Sequence, residues 1–227
     1  MKTLTLWSTR NLAGALLLLL ATQLSAQDKV RYDASPGSKV KIEGTSTIHD
    51  WTMEGSIIGG TFEIEKEFQS DLSLKSVPCL NGKGCPAVKA SITVRTLKSG
   101  KETMDGIMQD AMKAKEHPRI EYKLTAMKPK GDVPASGTPV KFDAKGDLSI
   151  AGVTKPIDLE VTMERLEGNK IRFKGATPDI KSPTAMKMTD YGIKPPAPSL
   201  ALGLIKTGDE IKVSFEWMLA LKQDAAK

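Results

Sequence analysis

Along this chain apolar and polar residues alternate one for one, in segment after segment, and no other feature constrains the fold as much. Side chains on a β-strand point to opposite faces in turn, so a period of two marks a strand with one dry face and one wet face. Val88, Ala90, Ile92 and Val94 alternate with Lys89, Ser91, Thr93 and Arg95. Ile120, Tyr122, Leu124 and Ala126 alternate with Arg119, Glu121, Lys123 and Thr125. Val140, Phe142, Ala144, Gly146, Leu148 and Ile150 stand opposite Lys141, Asp143, Lys145, Asp147 and Ser149. Ile157, Leu159, Val161 and Met163, then Ile171 and Phe173, continue the pattern. The last run sets Ile211, Val213, Phe215, Trp217, Leu219 and Leu221 against Glu210, Lys212, Ser214 and Glu216.

Earlier in the chain, Val40 and Ile42 alternate with Lys39, Lys41 and Glu43. Gly44 inside that run marks a bulge or a bend, and Gly59-Gly60 reads as a hairpin turn before a returning strand over residues 61–64. Residues 71–77 make a poorer strand candidate. Successive strands joined by short turns specify an antiparallel meander. Left flat, such a sheet would expose one whole apolar face and two edges, so an all-β barrel or a strongly curved sheet is expected.

Two segments break the period. Met104, Ile107, Met108, Ala111 and Met112 recur at helical spacing, and Pro118 stops that helix. Its methionine stripe suits a plug at one end of the β structure, or contact with a flexible ligand. Residues 177–204 hold Pro178, Pro183, Pro195, Pro196 and Pro198, which exclude a central strand and suggest a long ordered loop across a rim.

The N-terminus reads as a targeting segment. Lys2 and Arg10 precede the apolar run of residues 12–21, and Ala26 offers a small cleavage residue. The expected organisation is a signal peptide over 1–26, a loose polar lead-in over 27–37, one barrel domain over 38–222 and a tail over 223–227. The protein is then periplasmic or secreted. Removal of Lys2 and Arg10 takes the formal net charge from +6 to +4, a mild excess with no basic run among aromatics, so nucleic acid is not an expected partner. Weak attraction to an anionic membrane surface stays open; oligomeric state is not encoded legibly.

Cys79 and Cys85 are the only cysteines and flank Asn-Gly-Lys-Gly, which in an exported chain favours a disulfide-closed loop. No metal site is expected, since the thiols lack neighbouring histidines. His117 sits between the helix end and Pro118, in a capping or surface position. His49, beside Asp50, suits a structural hydrogen bond or contact with a ligand head group. No G-x-S-x-G elbow occurs, and the strand carboxylates fall on the wet face, so no enzyme is expected.

Four pieces of sequence carry a resemblance: GTSTIHDW from Gly44, AMKAKEHPRIEYKL from Ala111, GDLSIAGVTKPIDLEV from Gly146 and MTDYGIKPP from Met188. Together they resemble the YceI-like family of exported, lipocalin-like, polyisoprenoid-binding proteins, over roughly residues 38–221. The resemblance implies an eight-stranded antiparallel barrel, with one short helix and the long proline-rich loop, whose interior holds a long apolar tail such as an isoprenoid quinone. No other cofactor is implied. The interior expected from alternation is Ile92, Val94, Tyr122, Leu124, Leu148, Ile150, Leu159, Val161, Phe173, Val213, Phe215 and Trp217, joined by Met108 and Met112 from the helix. The expected function is non-enzymatic binding or carriage of an apolar isoprenoid lipid in the cell envelope. The alternative is a barrel filled by its own side chains, serving as a structural or interaction module.

Overall fold

Strand after strand pairs with its neighbour in sequence until the sheet meets itself. The structure, a computed structural model, describes residues 28–81, 84, 86–197 and 205–222. The strands are β1 (Lys29–Ala34), β2 (Lys39–Ser46), β3 (Trp51–Gly55), β4 (Gly59–Glu65), β5 (Ala87–Thr93), β6 (Arg119–Pro129), β7 (Val140–Ile150), β8 (Val153–Leu166), β9 (Lys170–Ala176), β10 (Met186–Lys187) and β11 (Thr207–Leu221). Two helices accompany them, α1 (Glu67–Ser70) and α2 (Glu102–Ala111). The pairing runs β1-β4-β5-β6-β7-β8-β9-β11, and β11 returns to β1 through Tyr32 opposite Leu221, so eight antiparallel strands close a barrel. β2 prolongs the wall along β11 beyond β1, β3 pairs with β2, and the two-residue β10 also joins β11. The expected closed antiparallel fold is the observed one.

Local chemistry accounts for the turns. β7 and β8 are joined by Ala151-Gly152 alone, with φ of 50° and 86°. A two-residue hairpin needs positive φ at its centre to match the strand twist, and glycine adopts it without strain. The ring of His117 lies against this turn, where a Cβ on Gly152 would come 2.5 Å from Nε2. His117 therefore braces a hairpin.

Several expectations change. The loose lead-in expected before Ser38 is largely strand: β1 pairs with β4 and β11, and Tyr32 is buried. Val30 and Tyr32 alternate there with Lys29, Arg31 and Asp33, a short period-two signal carried by a mostly polar stretch. Gly59-Gly60 is the start of β4 and not a turn. A Cβ on Gly60 would lie 2.0 Å from the Lys89 carbonyl oxygen, so glycine permits β4 and β5 to approach. Residues 71–77 form turns, organised by the Asp71 carboxylate. It accepts the Ser73 and Ser76 N–H groups at 2.9 and 2.6 Å and both serine hydroxyls at 2.6 and 2.7 Å. A register shift in the β6–β7 pairing between Leu124 and Ala126 turns Ala126 outward and Met127 inward. Val94 is corrected too. β5 ends at Thr93, and Val94 enters a 3-10 turn whose N–H donates to the Pro118 carbonyl at 2.9 Å. The turn breaks the alternation, so Val94 is buried beside the barrel and not within its cavity.

One end of the barrel is solid. Phe62 lies 5.6 Å from Phe68 and 5.3 Å from Phe173, Tyr32 stands 6.0 Å from Phe62, and Trp217 extends the chain of rings. Phe142, Met163 and Leu219 are completely buried. α1 and the following turns close over this end with Phe68, Leu74 and Val77, and the Arg165 guanidinium lies 4.2 Å over the Phe68 ring while donating to its carbonyl at 2.6 Å. Each fully buried Leu or Phe side chain contributes about 1.5–3 kcal/mol. The outer faces carry exposed ion pairs such as Lys145–Asp158 and Lys66–Asp28; surface pairs as a class are worth about 0–1 kcal/mol. Cys79 is buried, whereas Cys85, residues 1–27 and the tail over 223–227 lie outside the described residues.

Candidate functional site

At the other end the same strands enclose a cavity of about 620 Å³. Alternation delivers its walls. β5 supplies Val88, Ala90 and Ile92; β6 supplies Ile120, Tyr122, Leu124 and Met127; β7 supplies Ala144, Leu148 and Ile150. β8 adds Ile157, Leu159 and Val161, and β11 adds Ile211, Val213, Phe215 and Trp217. Phe62, Phe173 and Trp217 form the floor, where the hollow half meets the solid one. α2 lies across the remaining side with Met104, Ile107, Met108 and Ala111, followed by Met112. Apart from Val94, every residue expected in the interior lines this cavity.

Three inward positions of the hollow half carry no side chain, and this helps to make the space. Gly44, Gly146 and Gly175 each occupy an inward position, and each is covered by an aromatic side chain lying against the wall. A Cβ on Gly44 would lie 2.2 Å from the Trp51 ring, on Gly146 2.4 Å from Tyr122, and on Gly175 2.8 Å from Phe215. Each ring uses the room that a side chain would take and so stays out of the lumen. Gly44 borders a register shift in the β2–β11 pairing, where Ile211 stands opposite Gly44 and Thr207 opposite Ser46, and it also makes a seat for Trp51, whose Nε1 donates to the Thr45 carbonyl at 3.0 Å.

Polarity is graded along the cavity. Among the described residues no Asp or Glu lines it. Ser46, His49, Lys101, Thr103, Lys187 and Thr207 lie at the mouth, where Ile48, Pro196 and Ile205 are also found. His49 Nδ1 lies 2.8 Å from the Asp50 carbonyl oxygen, which can only accept, so Nδ1 carries the hydrogen and the ring is held at the mouth. Lys187 is 3.6 Å from Glu210. Deeper in, the Tyr122 hydroxyl is buried without a hydrogen-bond partner among the described residues, and burial first, then Asp147 and Asp158, pushes its pKa up to about 12. It stays a neutral phenol. Among the described residues no group of His, Cys, Asp and Glu is placed to hold a metal ion.

Sequence patterning alone misses part of this site. Met186, Met188, Tyr191 and Ile193 come from the proline-rich segment and line the cavity. The Met-Lys-Met spacing was the available signal, in a stretch that its prolines mark as loop. Lys101 and Lys187 also go unseen, because neither lies on a long alternating strand.

The family model described as the YceI-like domain matches residues 32–219. A UPF0312 protein of Pseudomonas putida is 30% identical over 165 residues, spanning 70% of this chain and 77% of the relative. Among solved structures, a polyisoprenoid binding domain from Saccharophagus degradans implicated in plant cell wall breakdown superposes with a TM-score of 0.58 at 14% identity, covering 86% of this chain and 100% of that one. BcnA of Burkholderia cenocepacia gives a TM-score of 0.55 at 15% identity, over 80% and 95% of the two chains. At such identities these two structures speak for the fold.

Proposed function

This chain belongs to the YceI-like family, and from that premise we propose that it binds and carries the apolar tail of an isoprenoid lipid, without catalysis. The observation that carries the reading is the cavity itself: predominantly apolar in its lining, floored by aromatic rings, and with its charged side chains at the mouth. The tail lies inside and the head group, quinone-like or otherwise, sits beside His49. The polyisoprenoid binding domain among the structural neighbours supports the same class of ligand.

Magnitudes favour the tail over the head. Each buried CH₂ contributes about 0.8 kcal/mol, so a few five-carbon units offset the roughly 4–15 kcal/mol lost on association. An exposed ion pair at the mouth adds about 0–1 kcal/mol. The wall also suits a flexible chain, since the methionines of α2 and of residues 186–188 adapt to irregular surfaces. We place the mature protein in the bacterial cell envelope, starting near Gln27 after export, with Cys79 and Cys85 oxidised.

Mass spectrometry of solvent extracts from protein purified without detergent tests the reading, together with titration by an isoprenoid quinone. The expected result is a co-purifying isoprenoid in the wild type and sharply reduced retention in Val161→Trp, with the fold intact by circular dichroism. Extracts without lipid and a flat titration would remove the carrier reading.

A further inference from the structure

We propose that the cavity mouth is a docking face for an anionic phospholipid bilayer, so that the tail passes between membrane and barrel without crossing water. The proposal rests on the tail-binding reading above and names the partner of that site.

Its first support is Ile48. This side chain lines the cavity and is nevertheless 61% exposed, at the tip of the hairpin between β2 and β3. The tip is firmly built. The Ser46 hydroxyl donates to the His49 carbonyl at 2.6 Å and accepts the His49 N–H at 3.2 Å. Thr47 N–H donates to the Lys206 carbonyl at 3.0 Å, and Lys206 N–H donates to the Thr47 hydroxyl at 3.2 Å. An isoleucine held outward on a braced turn, continuous with an apolar cavity, is placed to enter the boundary between head groups and acyl chains. Pro196 and Ile205 extend the apolar rim, drawn together by the bond from Thr207 N–H to the Pro196 carbonyl at 3.2 Å.

The second support is charge. Lys101 lines the mouth, Lys206 is bound to the β2–β3 tip and Lys194 follows the lining residue Ile193; all three are exposed, and none has a carboxylate at ion-pair distance among the described residues. Asp50 and Glu102 are exposed acids beside Lys101 and the β2–β3 tip in sequence, Asp190 is exposed but paired with Lys155, and no described lining residue is acidic. Basic side chains near an anionic leaflet each strengthen association about fivefold and lose that effect as salt shortens the screening length. Three lysines and one isoleucine make a weak, reversible contact, which suits a protein that must leave again.

Flotation of the mature protein with phosphatidylcholine vesicles, with and without phosphatidylglycerol, tests the proposal. The wild type floats with the anionic vesicles and is released as ionic strength approaches about 1 M. Ile48→Asp lowers binding by at least about tenfold, the loss expected for one buried aliphatic side chain. Ile57→Asp serves as the control, since Ile57 is equally exposed, at 59%, but is not part of the cavity; it leaves flotation unchanged. The double variant Lys194→Glu/Lys206→Glu loses flotation while retaining co-purified tail. Wild-type protein that ignores anionic vesicles, or equal losses for Ile48→Asp and Ile57→Asp, overturns the docking face. Protein that floats as described but yields no isoprenoid on extraction upholds the docking face and overturns the tail-binding reading instead. Retained tail without flotation does the reverse.

Discussion

The two ends of this barrel are built from the same strands, yet one is solid and the other hollow. On β7 the inward residues run Val140, Phe142, Ala144, Gly146, Leu148 and Ile150, so bulk falls away midway along the strand. β9 does the same, from Ile171 and Phe173 to Gly175. At the solid end rings and aliphatic chains meet across the axis, with Phe62 at 5.3 Å from Phe173. In the hollow half, glycines let Trp51, Tyr122 and Phe215 lie against the wall. The comparison teaches that alternation decides which way a side chain points, whereas the size of each inward residue decides whether there is anything to meet. Stability and binding are thereby placed in different halves of one sheet.

The largest expected effect contrasts the halves directly. Leu219 is completely buried at the solid end, so Leu219→Ala leaves a sealed cavity and costs about 2–5 kcal/mol. Leu159 borders space that is already empty, and Leu159→Ala costs less than Leu219→Ala by at least about 1 kcal/mol. Urea unfolding measures both, and equal losses would erase the distinction.

Next comes the seating of the rings. Gly146→Val drives a side chain into Tyr122 and costs about 1–3 kcal/mol by overpacking. It also pushes the ring into the lumen, so retention of an isoprenoid tail falls with stability. Thermal unfolding and lipid extraction together check this, and a destabilised variant with undiminished retention would show that the ring does not define the space.

A smaller effect sharpens the solid end. Hydrogen bonds from Ser73 and Ser76 hold the Asp71 carboxyl well below the usual carboxylate range. A depressed folded pKa stabilises the protein above the unfolded value of about 4, and the contribution is lost as pH falls below it. Asp71→Asn should therefore lower stability above about pH 4 and flatten the acid limb, the variant and the wild type converging as pH falls. An unchanged acid limb would show that the turn does not depend on the charge.

The smallest concerns the hollow half. The Tyr122 hydroxyl has no partner to lose among the described residues, so Tyr122→Phe is close to neutral at pH 7. Its folded pKa is raised, so the wild type keeps that contribution below the unfolded value of about 10 and loses it as pH rises toward 12. The variant should lack this alkaline decline, which equilibrium unfolding across the range would reveal.

Much of the molecule was legible in the residues alone. A pleated backbone sends neighbours to opposite faces wherever it runs, so most of the inward sets on β6 to β9 and on β11 follow from local pattern, as does α2 from the spacing of its methionines. Local pattern also explains what was lost. Val94 and Ala126 keep their parity only if the strand runs on without interruption, and a 3-10 turn and a register shift intervene. Met186 and Met188 lie in a segment marked as loop by its prolines, and only pairing with β11, some twenty residues later, brings them to the lumen. Whether the barrel was full or hollow could not be read from any strand singly. Packing across the axis joins residues as distant as Phe62 and Phe173, and the free volume between them depends on barrel radius and on which sizes face one another. Alternation is a property of the chain; the cavity is a property of the closed sheet.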